Sequence, residues 1–184
     1  METNIKFRAF EIEDAPFINN LRSNENFENM IGGNKKFVSS KRDLKWVEDI
    51  IFKDFQDKVY VAIYLKDDLE RKIIGYASIV NIDHYNKNCE WGGIKIEEKF
   101  NGKGFGSEAA RWLIKYVFEE LNMERFYGRC LENHLVSFKM MKRVGFITEG
   151  VIRNSVFKNG SYQNEYLMSI LKSEYQGVKS SNIV

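Results

Sequence analysis

Apolar and polar residues alternate from Asn4 to Phe10, and a period of two predicts a half-buried strand. Asp14 before Ala15 and Pro16 marks a helix entry, with the helix running through Leu21. The polar stretch 23–39, with Gly32-Gly33 at its centre, predicts a loop. Ser39 or Ser40 opens a second helix carrying Leu44, Val47, Ile50 and Ile51 on one face. β-branched and aromatic residues then predict strands at Val59–Leu65, Ile73–Ile82 and Cys89–Ile96. A long helix follows, with Ala109, Leu113, Tyr116, Val117 and Leu121 spaced as one buried face. Arg125–Leu131 reads as a strand, and Asn133 as the N-cap of a short helix that ends at Gly145. Val151–Phe157 and Tyr162–Leu171 form a hairpin around Lys158-Asn159-Gly160-Ser161. This order predicts one α/β (α+β) domain: a mixed central sheet of about seven strands flanked by about four helices.

Composition narrows the classes. A chain of 184 residues, 43% hydrophobic, can bury one sizeable core, and the expected domain is residues 1–176 with a loose tail at 177–184. With 28 basic and 26 acidic residues, net charge +2, nothing draws the chain as a whole to nucleic acid. No apolar run has membrane-spanning length. Cys89 and Cys130 make no disulfide framework, which fits a reduced, cytoplasmic protein. His84 and His134 are too few for a histidine-based metal site, so no metal is expected. A homo-oligomer is compatible with all of this.

The most informative segment joins the third predicted strand to the long helix. Gly102, Gly104 and Gly106 stand at alternate positions there. They let the chain turn tightly with no side chain in a ligand's way. The helix that follows is expected to begin near Ser107, and its unpaired N–H groups favour an anion. Lys103 and Arg111 are further candidates to meet phosphate. A dinucleotide-binding fold is excluded, because Gly-x-Gly-x-Gly lacks the last spacing of its fingerprint and too little chain follows.

At these residues the chain resembles the GNAT superfamily of acetyl-CoA-dependent N-acetyltransferases, over about residues 4–174. Asn101-Gly102-Lys103-Gly104-Phe105-Gly106 is similar to that family's glycine motif. Glu132-Asn133 followed by Met141-Lys142-Arg143-Val144-Gly145-Phe146 resembles its Asn-containing segment that ends in Gly-Phe. Phe157 to Asn164 is similar to the branch of spermidine and ribosomal-protein N-terminal acetyltransferases. The resemblance implies a GNAT-like domain with splayed parallel strands at its centre, ending near Ile96 and beginning near Arg125. It implies that backbone groups of Ile94 and Ile96 hold the pantetheine arm of acetyl-CoA. The segment Asn101, Gly102, Lys103, Gly104, Phe105, Gly106 and Ser107 would hold the pyrophosphate, and Asn133 the pantetheine side.

Three departures from the family pattern matter. Asn101 replaces the usual Gln or Arg, which leaves the amide cradle intact. Met141 stands where the family carries a tyrosine acid, and a thioether cannot donate a proton. The stretch from Glu90 to Asn101 is one residue longer than usual, so a bulge is expected near Gly92-Gly93.

Acetyl transfer from a thioester needs a neutral amine, stabilisation of the carbonyl oxygen and a thiolate that can leave. A free alkyl amine has a pKa of roughly 10, so something must take its proton. Glu90, on the strand that leads into the glycine loop, is the candidate for that work, with Tyr85 and His84 behind it. A Cys–His nucleophile from His84 and Cys89 is disfavoured, since their offset puts them on opposite faces of a strand. The expected acceptor is a small amine, an amino sugar or a protein N-terminus. Residues 27–36 are not notably acidic, which speaks against spermidine, and Lys35, Lys36, Lys41 and Arg42 suit an amino sugar carried on a nucleotide. A non-catalytic acyl-CoA-binding module is the alternative, and Met141 is the feature that favours it.

Overall fold

The computed structural model describes residues 3–30 and 35–175. Strands β1 (Ile5–Arg8), β2 (Val59–Leu65), β3 (Ile73–Asp83), β4 (Asn88–Ile96), β5 (Arg125–Leu131), β6 (Ile147–Lys158) and β7 (Ser161–Leu171) form one sheet. Its spatial order is β1-β2-β3-β4-β5-β7-β6. Every neighbouring pair is antiparallel except β4 and β5. The helices are α1 (Ala15–Ser23), α2 (Glu25–Met30), α3 (Ser40–Phe52), α4 (Phe105–Glu119) and α5 (Leu135–Arg143). The helix α2 replaces part of the loop expected over 23–39. Gly32-Gly33 and the tail at 177–184 lie outside the described residues.

Strand alternation divides the core between the two faces of the sheet. Ala77, Ile79, Cys89, Trp91, Phe126 and Met168 point to one face and pack with Ala109, Leu113 and Val117 of α4. Tyr76 and Ala62 point to the other and pack with Ile18 and Leu21 of α1 and Val47 of α3. The two helices on that second face are tied by Asp43, which is fully buried and accepts from Arg22 and from Asn19 (2.7 Å). Arg22 also lies over the Trp46 ring. Removing Arg22 would strand the buried charge of Asp43, at a cost of roughly 3–5 kcal/mol. Ser39 caps α3 by accepting from the Arg42 amide (3.3 Å).

Two features of β4 position the site. The partner of Ser78 is Gly93 and that of Ile79 is Trp91, so Gly92 is the extra residue of a bulge. This is where the sequence places one. A Cβ on Gly92 would lie 2.4 Å from Ser78 Oγ, and Gly93 has φ +105°. Neither position therefore accepts an ordinary side chain without strain. The bulge returns Ile94 and Ile96 to the same apolar core as Trp91.

The second feature is a fork. β4 and β5 pair only at Asn88↔Arg125, Cys89↔Phe126 and Glu90↔Tyr127. Beyond that rung β4 runs to Ile96 on β3 and β5 to Leu131 on β7. Their facing edges share no ladder there, and backbone groups on such edges need another partner.

Candidate active site

The donor side of the site is built from main chain. A 3-10 turn at Glu98–Phe100 follows β4. Gly102 (φ +77°) and Gly104 (φ +83°) then hold left-handed backbone that glycine adopts without penalty. Gly104 is the residue preceding the first turn of α4, and the Glu108 amide donates to its carbonyl (3.1 Å). The helix thus begins at Phe105, ahead of the expected Ser107, which is buried inside the first turn. The amides of Phe105, Gly106 and Ser107 are the ones an α-helix leaves without an intrahelical acceptor.

The space in front of this loop is open. A Cβ built on Gly102, Gly104 or Gly106 meets no atom within 4 Å. Lys99 and Lys103 each place their ammonium 5.2 Å from the Phe100 ring, which sets two cations at the rim. Asn101 is exposed, and its own amide is spent on the Glu98 carbonyl (2.9 Å). Arg111 is exposed farther along α4. The loop therefore fits a diphosphate: open amides, a helix N-terminus and flanking lysines.

Asn133 does not cap α5. His134 takes that place, and Asn133 sits in the turn before it, exposed, with its amide 3.4 Å from Gln163 Oε1. The side chain stays available at the open end of the fork because the turn Leu131–His134 closes through backbone (2.9 Å). Burial pushes the His134 imidazole below its usual pKa.

The acceptor side is built from side chains. Glu90 occupies the last rung of the fork, with its side chain 12% exposed. Its Oε1 accepts from Arg129 (2.9 and 3.2 Å) and its Oε2 from Asn81 (2.7 Å), with the Tyr127 hydroxyl at 3.5 Å. Burial, then the neighbouring Glu90 charge, raises the Tyr127 pKa, so the phenol keeps its proton near neutral pH. Next along the same face, Arg125 grips Glu149 through both guanidinium nitrogens, and Ser169 donates to Glu149 (2.7 Å). Those bonds hold the Glu149 carboxyl at about 2.

The structure does not bring Tyr85 to this cluster. It stands 92% exposed in the turn between β3 and β4, with its amide on Asp83. The tyrosine beside Glu90 is Tyr127. His84 faces the Gln56 carbonyl (3.1 Å), and Cys89 is buried on the opposite, apolar face with its thiol pushed up to about 12. His84 and Cys89 therefore form no pair. Met141 is fully buried, and a Cβ on Gly128 would come 3.1 Å from its methyl and 2.8 Å from Trp91 Cβ. Adding that carbon would overpack the contact, at roughly 1–3 kcal/mol.

Sequence reasoning missed Asn81, Tyr127 and Arg129. One signal was present: Arg125, Tyr127 and Arg129 alternate with Phe126, Gly128 and Cys130, so one face of a central strand is polar. Among the described residues no three His, Cys, Asp or Glu side chains gather as a metal site. No helix there is long and apolar enough to cross a membrane.

Comparison with known proteins gives the same fold. The sequence profile described as "Acetyltransferase (GNAT) domain" matches residues 4–147. Spermidine N(1)-acetyltransferase of Vibrio cholerae is 26% identical over 95% of this chain and 97% of its own length. Putative ribosomal N-acetyltransferase YdaF of Bacillus subtilis is 35% identical over 58% of each chain. The crystal structure of the Vibrio cholerae spermidine N-acetyltransferase in complex with CoA and spermine superposes with TM-score 0.84. It is 24% identical and covers 95% of this chain and 99% of its own. With its forked β4–β5 pair and open glycine cradle, the chain belongs to the GNAT acetyltransferase family and is an acetyl-CoA-dependent N-acetyltransferase.

Proposed function

We propose that the protein transfers acetyl directly from acetyl-CoA to a small primary amine while both are bound. The observation that carries this reading is the fork between β4 and β5, with the open glycine cradle at one end and a polar side-chain cluster at its apex. The pyrophosphate lies on the amides of Gly102 to Ser107, with Asn101, Lys103 and Phe105 around it. Backbone of Ile94 and Ile96 takes the pantetheine arm, and Asn133 closes its far side. Unpaired N–H groups of β4 accept the charge that grows on the thioester oxygen. The amine enters from the polar face, because α4 and α5 fill the apolar one. Glu90, held by Arg129 and Asn81, draws the amine's proton through water. The nitrogen bonds to the acetyl carbon and sheds its second proton to water, the C–S bond breaks, and the CoA thiolate takes a proton from solvent, since Met141 has none to give.

The relatives named for spermidine and for ribosomal acetylation support an amine acceptor. The second reading is a non-catalytic acyl-CoA-binding module, favoured by the buried Met141. Free-thiol release from acetyl-CoA across a panel of alkyl amines, amino sugars and N-terminal peptides separates the two. Amine-dependent release, with one acetylated amine per thiol by mass spectrometry, is expected. Tight acetyl-CoA binding with no release for any amine would establish the module instead.

A further inference from the structure

Among the described residues, Glu165 is a carboxylate without an ion-pair partner. It lies on β7, is 8% exposed, and pairs across the sheet with Leu131 of β5 and Ile152 of β6. The Leu131 rung is beyond Glu90↔Tyr127, where β4 has already left β5. Strand alternation along Tyr127, Arg129 and Leu131 puts Glu165 on the same face as the Glu90 cluster. Among the described residues its carboxylate has one hydrogen-bond partner, the Ser155 hydroxyl, which donates to Oε2. Among the described residues no cation comes within ion-pair distance of it. Arg129, diagonally across β5 and β7, gives its hydrogen bonds to Glu90. The pKa of Arg129 is raised first by its hydrogen bond to Glu90 and further by the charge of Glu165, and that of Cys130 first by burial and then by Glu165.

Two contacts tie α2 to the end of the β6–β7 hairpin. The Glu28 carboxylate of α2 lies 4.0 Å from Lys158, and Asn159 at the β6–β7 turn donates to Asn29 (3.4 Å). Among the described residues the other carboxylate oxygen of Glu165 has no hydrogen-bond partner and is not shut away from solvent, so an incoming ammonium can reach it.

Resting on the acetyl-transfer reading above, we infer that Glu165, oriented by Ser155, is the specificity residue that receives the positive charge of the acceptor. The acceptor class it selects is an alkyl amine with a cationic centre, in preference to an amino sugar carried on a nucleotide phosphate. A phosphate near this carboxylate would be repelled, whereas an ammonium completes the pair.

The test is titration calorimetry of the full chain saturated with CoA, using spermidine as the probe, alongside steady-state kinetics. Glu165→Gln is expected to weaken spermidine binding and raise the amine KM by about 10-fold or more, leaving kcat within about 3-fold and CoA affinity unchanged. Ser155→Ala should give a smaller loss of the same kind, and Glu165→Asp should recover most of it. Melting curves verify that each variant folds; if Glu165→Gln does not, Ser155→Ala and Glu165→Asp carry the comparison. Equal spermidine affinity in wild type and variants overturns the inference, because Arg129 then suffices as the counter-charge. So does the absence of spermidine binding to the wild type. Wild-type protein that binds spermidine through Glu165 yet acetylates no amine would sink the catalytic reading and leave this one standing.

Discussion

The two halves of the site are made of different material. The proposed donor half, from Ile94 to Ser107, is main chain: a strand edge, two left-handed glycines and the first turn of α4. The proposed acceptor half is side chain: Glu90, Arg129, Tyr127, Asn81, Glu149 and Glu165, contributed by five different strands. Main-chain donors are alike whatever residue carries them, so the donor half needs only a conformation and empty space. The acceptor half depends on which side chains stand opposite one another. This difference teaches where the two halves tolerate change: one is broken by adding atoms, the other by altering charge.

Gly104→Trp tests that contrast hardest. It forces a bulky residue to φ +83° and fills the open cradle. Acetyl-CoA binding should fall by roughly 100-fold or more by calorimetry, with far-UV circular dichroism unchanged. Unaltered affinity would show that the diphosphate lies elsewhere. Glu90→Gln should do the opposite, lowering kcat by about 10- to 100-fold while leaving acetyl-CoA affinity alone. A pH–rate profile identical to wild type would remove Glu90 from proton transfer. The smallest effect belongs to Glu149. Its carboxyl, held at about 2 by Arg125 and Ser169, lies below the ordinary value of 4.5. A depressed carboxylate pKa stabilises the fold above pH 4.5, and that contribution is lost as pH falls toward 2. Glu149→Gln should therefore lower Tm by about 1–3 °C at pH 7, with the difference shrinking through pH 4.5 to 2. A difference independent of pH would mean that Glu149 acts through packing alone.

Much of the fold was legible because its signals are local. Val59–Leu65 carries β-branched and aromatic residues and Arg125–Leu131 an aromatic pair, and both strands have those bounds. The bulge was legible from one surplus residue beside a Gly-Gly pair, and without it Trp91 and Ile94 would face opposite sides. Asn159-Gly160 marked its hairpin through positive φ at both residues. The helix α2 was missed because Glu25–Met30 has too few apolar residues to show a period. Asn133 was read as a cap from residue type alone, whereas the chain takes one further turn residue before α5 begins.

The sequence by itself determined the donor half: glycines at alternate positions between a strand and a helix dictate open amides through backbone freedom, which is a property of the local chain. Only the tertiary structure decided the acceptor half. Glu90 meets Arg129 and Glu165 lies beside the fork because β4, β5 and β7 align in one particular register. Register is fixed by burial of the opposite, apolar face under α4, a cooperative outcome that no single segment encodes.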